Sequence, residues 1–157
     1  MADNEKYMIT EYTSLDLDNL LDFFEHCLPE SGRIFDPDGR HKSLLQVENA
    51  YDYFVCLKEQ DSRRIIGTCA LKKIDERKCE LKYVYLYKKY HGKGLGTRIA
   101  QLTIDKARDL GYREVYLDTI SKTSGRAIKM YERLGFIRIE KYHEAIYSDV
   151  FMKLILK

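Results

Sequence analysis

The stretch that decides the fold is Tyr-Leu-Tyr-Lys-Lys-Tyr-His-Gly-Lys-Gly-Leu-Gly-Thr, residues 85–97. An apolar, aromatic strand pattern runs here into three alternating glycines and then into a helical pattern. Gly92, Gly94 and Gly96 have no Cβ atom to hold a ligand away from the backbone. The helix that follows begins with unpaired N–H groups and a partial positive charge, so this loop predicts a phosphate-binding site.

The spacing of these glycines excludes the familiar phosphate loops. A Walker loop requires Gly-x-x-x-x-Gly-Lys-Ser/Thr, and neither Gly92 nor Gly94 begins that pattern. The dinucleotide pattern Gly-x-Gly-x-x-Gly also fails, because its last position falls on Thr97 or on Ile99. The His-Arg-Asp and Asp-Phe-Gly sequences of a kinase are absent. A different phosphate ligand is therefore expected.

The chain resembles the GNAT family of N-acetyltransferases at this loop. Their signature Gln/Arg-x-x-Gly-x-Gly/Ala reads here as residues 91–96, with His91 in place of the usual Gln or Arg. A second block, Ala-Ile-Lys-Met-Tyr-Glu-Arg-Leu-Gly-Phe at 127–136, looks like the helix end and following strand of the same family. The resemblance covers residues 64–156, and the first sixty residues only by the order of predicted elements.

The resemblance implies one α/β domain over residues 1–157, with a cofactor-binding core at about 64–136. The implied fold is a mixed, mostly antiparallel sheet of six to seven strands, flanked by about four helices and with splayed central strands. The implied cosubstrate is acetyl-CoA, with no metal. The residues that the resemblance assigns to it are Leu86, Tyr87, His91, Gly92, Lys93, Gly94, Leu95, Gly96, Thr97 and Ser124. Leu86 and Tyr87 would act through their backbone on the pantetheine and acetyl group, and the amides of 91–97 would hold the pyrophosphate.

Two residues of the second block's helix have alternative interpretations. Ser124 either contacts the cofactor arm or caps the helix that begins there. Arg126 either reaches the cofactor phosphates or is an exposed charge on the helix face.

Tyr131 and Glu80 are the candidate catalytic residues. Tyr131 is implied by the resemblance as the acid that protonates the departing thiolate, and the alternative is an aromatic packing residue. Glu80 lies eleven positions before His91, where histone-acetylating members of the family carry a base. It shares strand parity with Leu86, so we expect the two side chains on one face. The alternative is a solvated carboxylate at a strand edge.

Composition and charge exclude several classes of protein. Hydrophobic residues make up 45% and charged residues 33%, which is typical of a globular domain. No apolar run approaches the ~20 residues of a membrane span, and the N-terminus has no signal-peptide core, so we expect a cytoplasmic protein. The formal net charge of +2 is too small to favour nucleic acid. The four cysteines form no Cys-x-x-Cys pair, so no zinc or redox site is predicted.

Apolar periodicity predicts the order of the elements. Strands are expected at 7–12, 53–58, 65–74, 80–87, 114–119, 136–142 and 148–156. Helices are expected at 15–28, with Ser14 as cap and Pro29 as stop, and at 41–50, 94–110 and 123–134. Strand, glycine loop, helix and strand form a βαβ unit.

The sequence thus predicts transfer of the acetyl group of acetyl-CoA to a primary amine, by direct attack in a ternary complex. The acceptor class is a small molecule, an amino acid derivative or a peptide amine, without nucleic acid or membrane as partner, and a homodimer is left open. The alternative function is a non-catalytic acyl-CoA-binding or sensing module of the same fold. A nucleotide-binding regulatory domain would leave residues 131–136 unexplained.

Overall fold

A mixed seven-stranded sheet forms the centre of the computed structural model, which describes residues 6–157. The strands are β1 (Tyr7–Glu11), β2 (Tyr53–Glu59), β3 (Ile65–Lys73), β4 (Lys78–Leu86), β5 (Glu114–Thr119), β6 (Ile137–Ile139) and β7 (Val150–Ile155). Their order in the sheet is β1-β2-β3-β4-β5-β7-β6. β4 and β5 are parallel, and every other neighbouring pair is antiparallel. The predicted fold class is confirmed.

Within residues 6–157, four α-helices accompany the sheet: α1 (Leu17–Glu30), α2 (Val47–Ala50), α3 (Leu95–Asp109) and α4 (Gly125–Arg133). The parallel strands β4 and β5 are joined through α3, as the βαβ pattern predicts. Within the described part of the chain, no helix combines the length and apolar character that a bilayer crossing demands.

The predicted stop of α1 at Pro29 is wrong. Pro29 lies inside the last turn of the helix. The end is made by Gly32 with a φ of +76°, where the amides of Gly32 and Arg33 donate to the carbonyls of Pro29 and Leu28. This pair of hydrogen bonds around a residue in the left-handed conformation is a Schellman motif, which satisfies carbonyl groups that the helix leaves unpaired.

β3 is buried on both faces because helices cover both sides of the sheet centre. Its residues from Ile65 to Leu71 are all buried, without the alternation of a half-exposed strand. On one face, Phe24 of α1 packs against Tyr85, whose partner in β3 is Thr68. On the other face lies Cys69, beside Thr103 of α3. The sheet centre is therefore the core of the fold.

A β-bulge in β4 moves the residues after it to the opposite face. Lys82 pairs with Ala70 but Tyr85 pairs with Thr68, so one extra residue is inserted in β4. Tyr83, in this insertion, has a φ of +52°. Glu80 pairs with Lys72 and Leu86 with Gly67, positions of opposite parity on β3. The expectation that Glu80 and Leu86 share a face is therefore wrong.

Beyond the bulge, β4 separates from β5. Their pairing covers only residues 78–80 of β4 and 114–116 of β5, although β4 continues to Leu86 and β5 to Thr119. The gap between the two strand ends is the predicted splay.

Gly67 tests how tightly the backbone after the bulge is fixed. A Cβ at Gly67 would lie 3.0 Å from Leu86 Cδ1 and 3.1 Å from the Tyr85 carbonyl oxygen. We expect Gly67→Ala to lower the free energy of unfolding by about 1–3 kcal/mol, because a strand backbone bonded on both sides yields little. Urea denaturation measures this. Gly125→Ala, where the Cβ meets nothing within 4 Å, is the matched control and is expected to be neutral or stabilising.

Candidate active site

A cavity of about 770 Å³ opens where β4 and β5 diverge. Its walls are the second half of β4, the glycine loop (residues 91–97), the end of β5 with the start of α4, and the segment between α1 and α2. This volume falls in the range of small-molecule and cofactor sites. The glycine loop, Tyr131, Ser124 and Arg126 all contribute to its wall.

The glycine loop presents unpaired N–H groups. Gly92 and Gly94 have φ of +80° and +77°, a conformation that costs other residues about 1–2 kcal/mol. Within residues 6–157, the amides from Gly92 to Thr97 donate to no backbone carbonyl. The amide of His91 donates to the Lys88 carbonyl at 3.0 Å, closing a 3₁₀ turn. The predicted nest of amides therefore begins at Gly92, and the expectation for the His91 amide is wrong.

Arg126 brings positive charge to this nest. A Cβ on Gly92 would lie 3.7 Å from Nη2 of Arg126, so the guanidinium stands beside the loop. Lys88 also lines the cavity, whereas Lys93 is exposed and outside its wall. Unpaired helix N–H groups with a guanidinium alongside are an arrangement that binds phosphate oxygens.

His91 joins the glycine loop to the end of β4. Its Nε2 lies 3.0 Å from the Leu86 carbonyl oxygen. A carbonyl only accepts hydrogen bonds, so Nε2 carries the proton and donates it. The residue that departs from the family signature thus lines the cavity, and its side chain binds the end of β4.

Leu86 turns its backbone toward the gap, whereas Tyr87 does not. The Tyr87 amide donates to the Ile66 carbonyl of β3 at 3.1 Å. Successive N–H groups along a strand point to opposite edges, so the Leu86 amide faces away from β3 and toward the splay. Tyr87 is buried against Phe23 and lies outside the cavity wall. The prediction that the Tyr87 amide meets the cofactor is wrong, because β3 already occupies it.

Tyr131 combines a packed ring with a free hydroxyl. The ring lies 5.7 Å from the Phe136 ring, and the residue is 5% exposed. Tyr131 lines the cavity, and within residues 6–157 its hydroxyl has no hydrogen-bonding partner. Burial raises the pKa of Tyr131 far above its ordinary value; Cys69 and Tyr85 add to this and Arg33 opposes it. The hydroxyl therefore stays protonated and is available as a proton donor.

Ser124 does not cap α4 with its side chain. It occupies the N-cap position, but its oxygen accepts hydrogen bonds from Thr119 Oγ1 at 2.8 Å and from Arg33 Nη2 at 3.1 Å. The capping interpretation is therefore wrong. Arg33 also lies 5.7 Å above the Tyr85 ring, so it crosses the cavity from the α1–α2 segment to α4. No sequence pattern points to Arg33, because 91 positions separate it from Ser124.

Glu80 belongs to a carboxylate cluster at the β5 side of the cavity, formed by Glu80, Asp118, Tyr142, His143 and Ser148. Glu80 accepts the Tyr142 hydroxyl at 2.5 Å and has Lys82 at 3.6 Å. It is buried and outside the cavity wall, whereas Asp118 and Ser148 line the cavity. It is therefore not a solvated strand-edge carboxylate. No sequence pattern points to Asp118, because its partners His143 and Ser148 come from a separate loop.

His41 is a buried histidine in the cavity wall. Its Nδ1 accepts the Asp36 amide at 2.9 Å, and its ring lies 5.7 Å from Phe35. Burial lowers the pKa of His41 and the Arg40 charge lowers it further, while Asp36 partly opposes both. His41 therefore holds the segment between α1 and α2 in its neutral form.

The comparison with known families matches this geometry. The "Acetyltransferase (GNAT) family" pattern matches residues 17–136. The match covers more than half of the chain, and the glycine loop lies within it. The chain therefore belongs to the GNAT acetyltransferase family.

Curated N-acetyltransferases are similar to this chain in sequence over part of their length. The uncharacterized N-acetyltransferase YjgM of Escherichia coli is 37% identical over 62 residues, which are 40% of this chain and 36% of YjgM. N-alpha-acetyltransferase 30 of Dictyostelium discoideum is 28% identical over 134 residues, 80% of this chain and 64% of that protein. The chain thus spans from about a third to under two thirds of these relatives.

Solved structures share the fold over nearly the whole chain. An acetyltransferase from Streptococcus agalactiae has a TM-score of 0.86 at 24% identity, covering 97% of this chain and 99% of that one. The putative acetyltransferase yncA from Salmonella typhimurium, solved with acetyl-CoA, has a TM-score of 0.71 at 19% identity, covering 97% and 95%. At such identities the likeness shows the fold.

His41 predicts an acid limit to stability. Its pKa is lower in the folded state than the ordinary ~6.5, so the unfolded state binds the proton more tightly. Stability present above pH ~6.5 is lost as the pH falls through the folded value. We expect His41→Gln to flatten this part of the stability profile, measured by urea denaturation between pH 4.5 and 8. The exposed His26→Gln serves as control and should keep the wild-type slope.

Proposed function

We propose that this chain is an acetyl-CoA-dependent N-acetyltransferase that acts on a primary amine. The observation that carries the proposal is one cavity with unpaired N–H groups at one end and a free Tyr131 hydroxyl in its wall. The N–H groups would bind the phosphates of a cosubstrate, and the Tyr131 hydroxyl would protonate a leaving thiolate. Neighbours such as yncA, solved with acetyl-CoA, support this choice of cosubstrate.

The cavity offers groups for the pyrophosphate and for the pantetheine arm of coenzyme A. The amides of 92–97 and the Arg126 guanidinium would hold the pyrophosphate. The splay between β4 and β5 would admit the pantetheine arm, with the Leu86 amide facing it. Ser124 and Thr119 offer hydroxyl groups beside the same gap.

The chain's own groups supply the elements of acetyl transfer in a ternary complex. The Leu86 amide would stabilise the oxyanion, and one such donor contributes about 3 kcal/mol. Tyr131 would protonate the leaving sulfur, whose thiol pKa is about 8.5 in water if it resembles cysteine. Burial raises the pKa of Tyr131, and burial beside it would also raise the pKa of the leaving thiol, because both anions are disfavoured away from water.

The amine must lose a proton before it attacks. An alkylamine of pKa ~10.4 costs about 4.6 kcal/mol to deprotonate at pH 7. We propose that Glu80 contributes to this step through the carboxylate cluster, since its carboxylate lies behind the cavity wall and within 3.8 Å of His143.

Cosubstrate binding is tested at the two ends of α3. Gly94 and Gly111 both have positive φ, and a Cβ at either meets nothing within 4 Å. Gly94→Ala and Gly111→Ala should therefore cost similar stability, about 1–2 kcal/mol each. By calorimetric titration, only Gly94→Ala should weaken acetyl-CoA binding, by roughly tenfold or about 1.4 kcal/mol, because it disturbs the N–H groups. Absence of acetyl-CoA binding by the wild type contradicts the proposal.

Tyr131→Phe separates catalysis from binding. We expect kcat for thiol release to fall roughly 10²–10⁴-fold, the usual contribution of a general acid, with Kd for acetyl-CoA unchanged. The hydroxyl has no protein partner among residues 6–157, so the variant should fold as the wild type does. Tyr53→Phe, outside the cavity, is the control. Unchanged turnover in Tyr131→Phe would remove the acid role. Binding without turnover in the wild type would indicate a sensing module.

A further inference from the structure

Asp118 and His143 form a close pair at the rim of the cavity. Asp118 is near the end of β5, and His143 lies in the segment between β6 and β7. Nε2 of His143 is 2.6 Å from Asp118 Oδ2, and Ser148 Oγ donates to Asp118 Oδ1 at 2.5 Å. Tyr142 and Phe151 pack their rings against the imidazole, at 4.7 and 5.7 Å. The pair is thus held from three sides.

The two ring nitrogens of His143 both face oxygen acceptors. Nδ1 is 2.8 Å from the Glu144 carbonyl, which can only accept, and Nε2 faces the Asp118 carboxylate. A neutral imidazole carries one N–H, so this geometry requires an imidazolium or a protonated carboxyl. The proton between Nε2 and Asp118 is the one that can leave without breaking the bond to Glu144.

The charges around His143 come from three elements. β4 contributes Glu80, at 3.8 Å, and Lys82 beside it, while β5 contributes Asp118. The β6–β7 segment contributes Tyr142 and Glu144, and Glu144 is paired with Lys141. Burial lowers the pKa of His143, but hydrogen bonds to Asp118 and Glu144 and the nearby carboxylates outweigh it, so the pKa is raised.

The pair connects the cavity with solvent. Asp118 lines the cavity and its side chain is 16% exposed, whereas the His143 side chain is 40% exposed. A proton taken up at Asp118 therefore has a donor–acceptor path of one hydrogen bond to a group that reaches bulk water.

We propose that Asp118 receives the proton of the acceptor amine and that His143 carries it to solvent. Asp118 is then the catalytic group on the acceptor side, and His143 acts through it. Glu80 is a positioning residue, whose charge holds the imidazole next to Asp118. This inference rests on the proposed acetyl transfer and assigns its base.

The proton balance of the step is complete. The acceptor arrives as R–NH3⁺ and gives one proton to the Asp118–His143 pair. The resulting R–NH2 attacks the thioester carbonyl carbon, a C–N bond forms and the C–S bond breaks. The sulfur leaves with a proton from Tyr131, which is replaced by the second proton of the nitrogen. The amide keeps one N–H, and the pair releases its proton to water.

The first test requires no acceptor. Two-bond ¹H–¹⁵N spectra across a pH titration report the protonation of each imidazole nitrogen. We expect both nitrogens of His143 to be protonated at pH 6.5 and the midpoint to lie above the ordinary ~6.5. Asp118→Asn should lower that midpoint, and Glu80→Gln should lower it less. A His143 midpoint that Asp118→Asn leaves unmoved would overturn the pair.

The second test follows thiol release from acetyl-CoA with spermidine, lysine amide and a tetrapeptide with a free N-terminus, using the fastest of these. The wild-type kcat should rise with pH through the same midpoint as the spectra. Asp118→Asn should lower kcat roughly 10²–10⁴-fold, and His143→Gln should remove the acid limb of the profile. His26→Gln, an exposed histidine on α1, should behave as the wild type. An acid limb kept in His143→Gln but lost in Glu80→Gln would overturn the assignment in favour of Glu80.

Two further outcomes are distinguishable. Donor atoms of Glu80, Asp118 and His143 lie within 4.8 Å of one another, a spacing that a divalent cation could use. Turnover lost on EDTA treatment and restored by Zn²⁺ or Mn²⁺ would replace the proton role by a metal site. A wild-type protein that binds acetyl-CoA but releases no thiol with any of the three amines would contradict the proposed acetyl transfer, whereas turnover together with an unmoved His143 midpoint in Asp118→Asn would overturn this inference alone.

Discussion

The separation of β4 from β5 is the constraint on which the rest of the molecule depends. Two parallel strands that start paired must diverge if a ligand is to enter between them, and here only three residue pairs are formed. The bulge at Tyr83 supplies the change of direction, since an inserted residue bends and twists the strand that carries it. Past the bulge, the Leu86 amide and carbonyl point into the gap, where Nε2 of His91 donates a hydrogen bond to the carbonyl.

The bulge has a conformational cost that the core offsets. An aromatic residue at a φ of +52° lies in a region that bulky side chains avoid, at roughly 1–3 kcal/mol. The Tyr83 ring packs against five other rings, those of Phe24, Phe54, Tyr51 and Tyr85 and the imidazole of His41. Aromatic pairs contribute about 0.5–1.5 kcal/mol each beyond the area they bury, so this packing can hold the strained backbone in place. The first helix therefore supports the cavity from a distance through Phe24.

Charge is divided between the two ends of the cavity. Backbone N–H groups and Arg126 gather at the glycine loop, and carboxylates gather at the end of β5. In the proposed reaction, the anionic cosubstrate and the acceptor amine would approach from opposite ends of the cavity and meet between Leu86 and Tyr131. The segment between α1 and α2 covers this part of the cavity. It is held in place by the hydrogen bond from Arg33 to Ser124 and by the hydrogen bond from the Asp36 amide to the neutral His41.

The sequence by itself determined the features that arise from neighbouring residues. Three glycines before a helical pattern fix an N–H nest, because backbone freedom and a helix end are local properties. The order of strands and helices, and Tyr131 beside Phe136, followed from periodicity and from the family blocks.

Only the tertiary structure decided what depends on residues far apart in the chain. The bulge at Tyr83 places Leu86 on the opposite face of the sheet from Glu80. The Tyr87 amide is hydrogen-bonded to Ile66 of β3. The Asp118–His143 pair joins two segments 25 positions apart. Strand pairing sets these positions by long-range register, which no local pattern of side chains encodes.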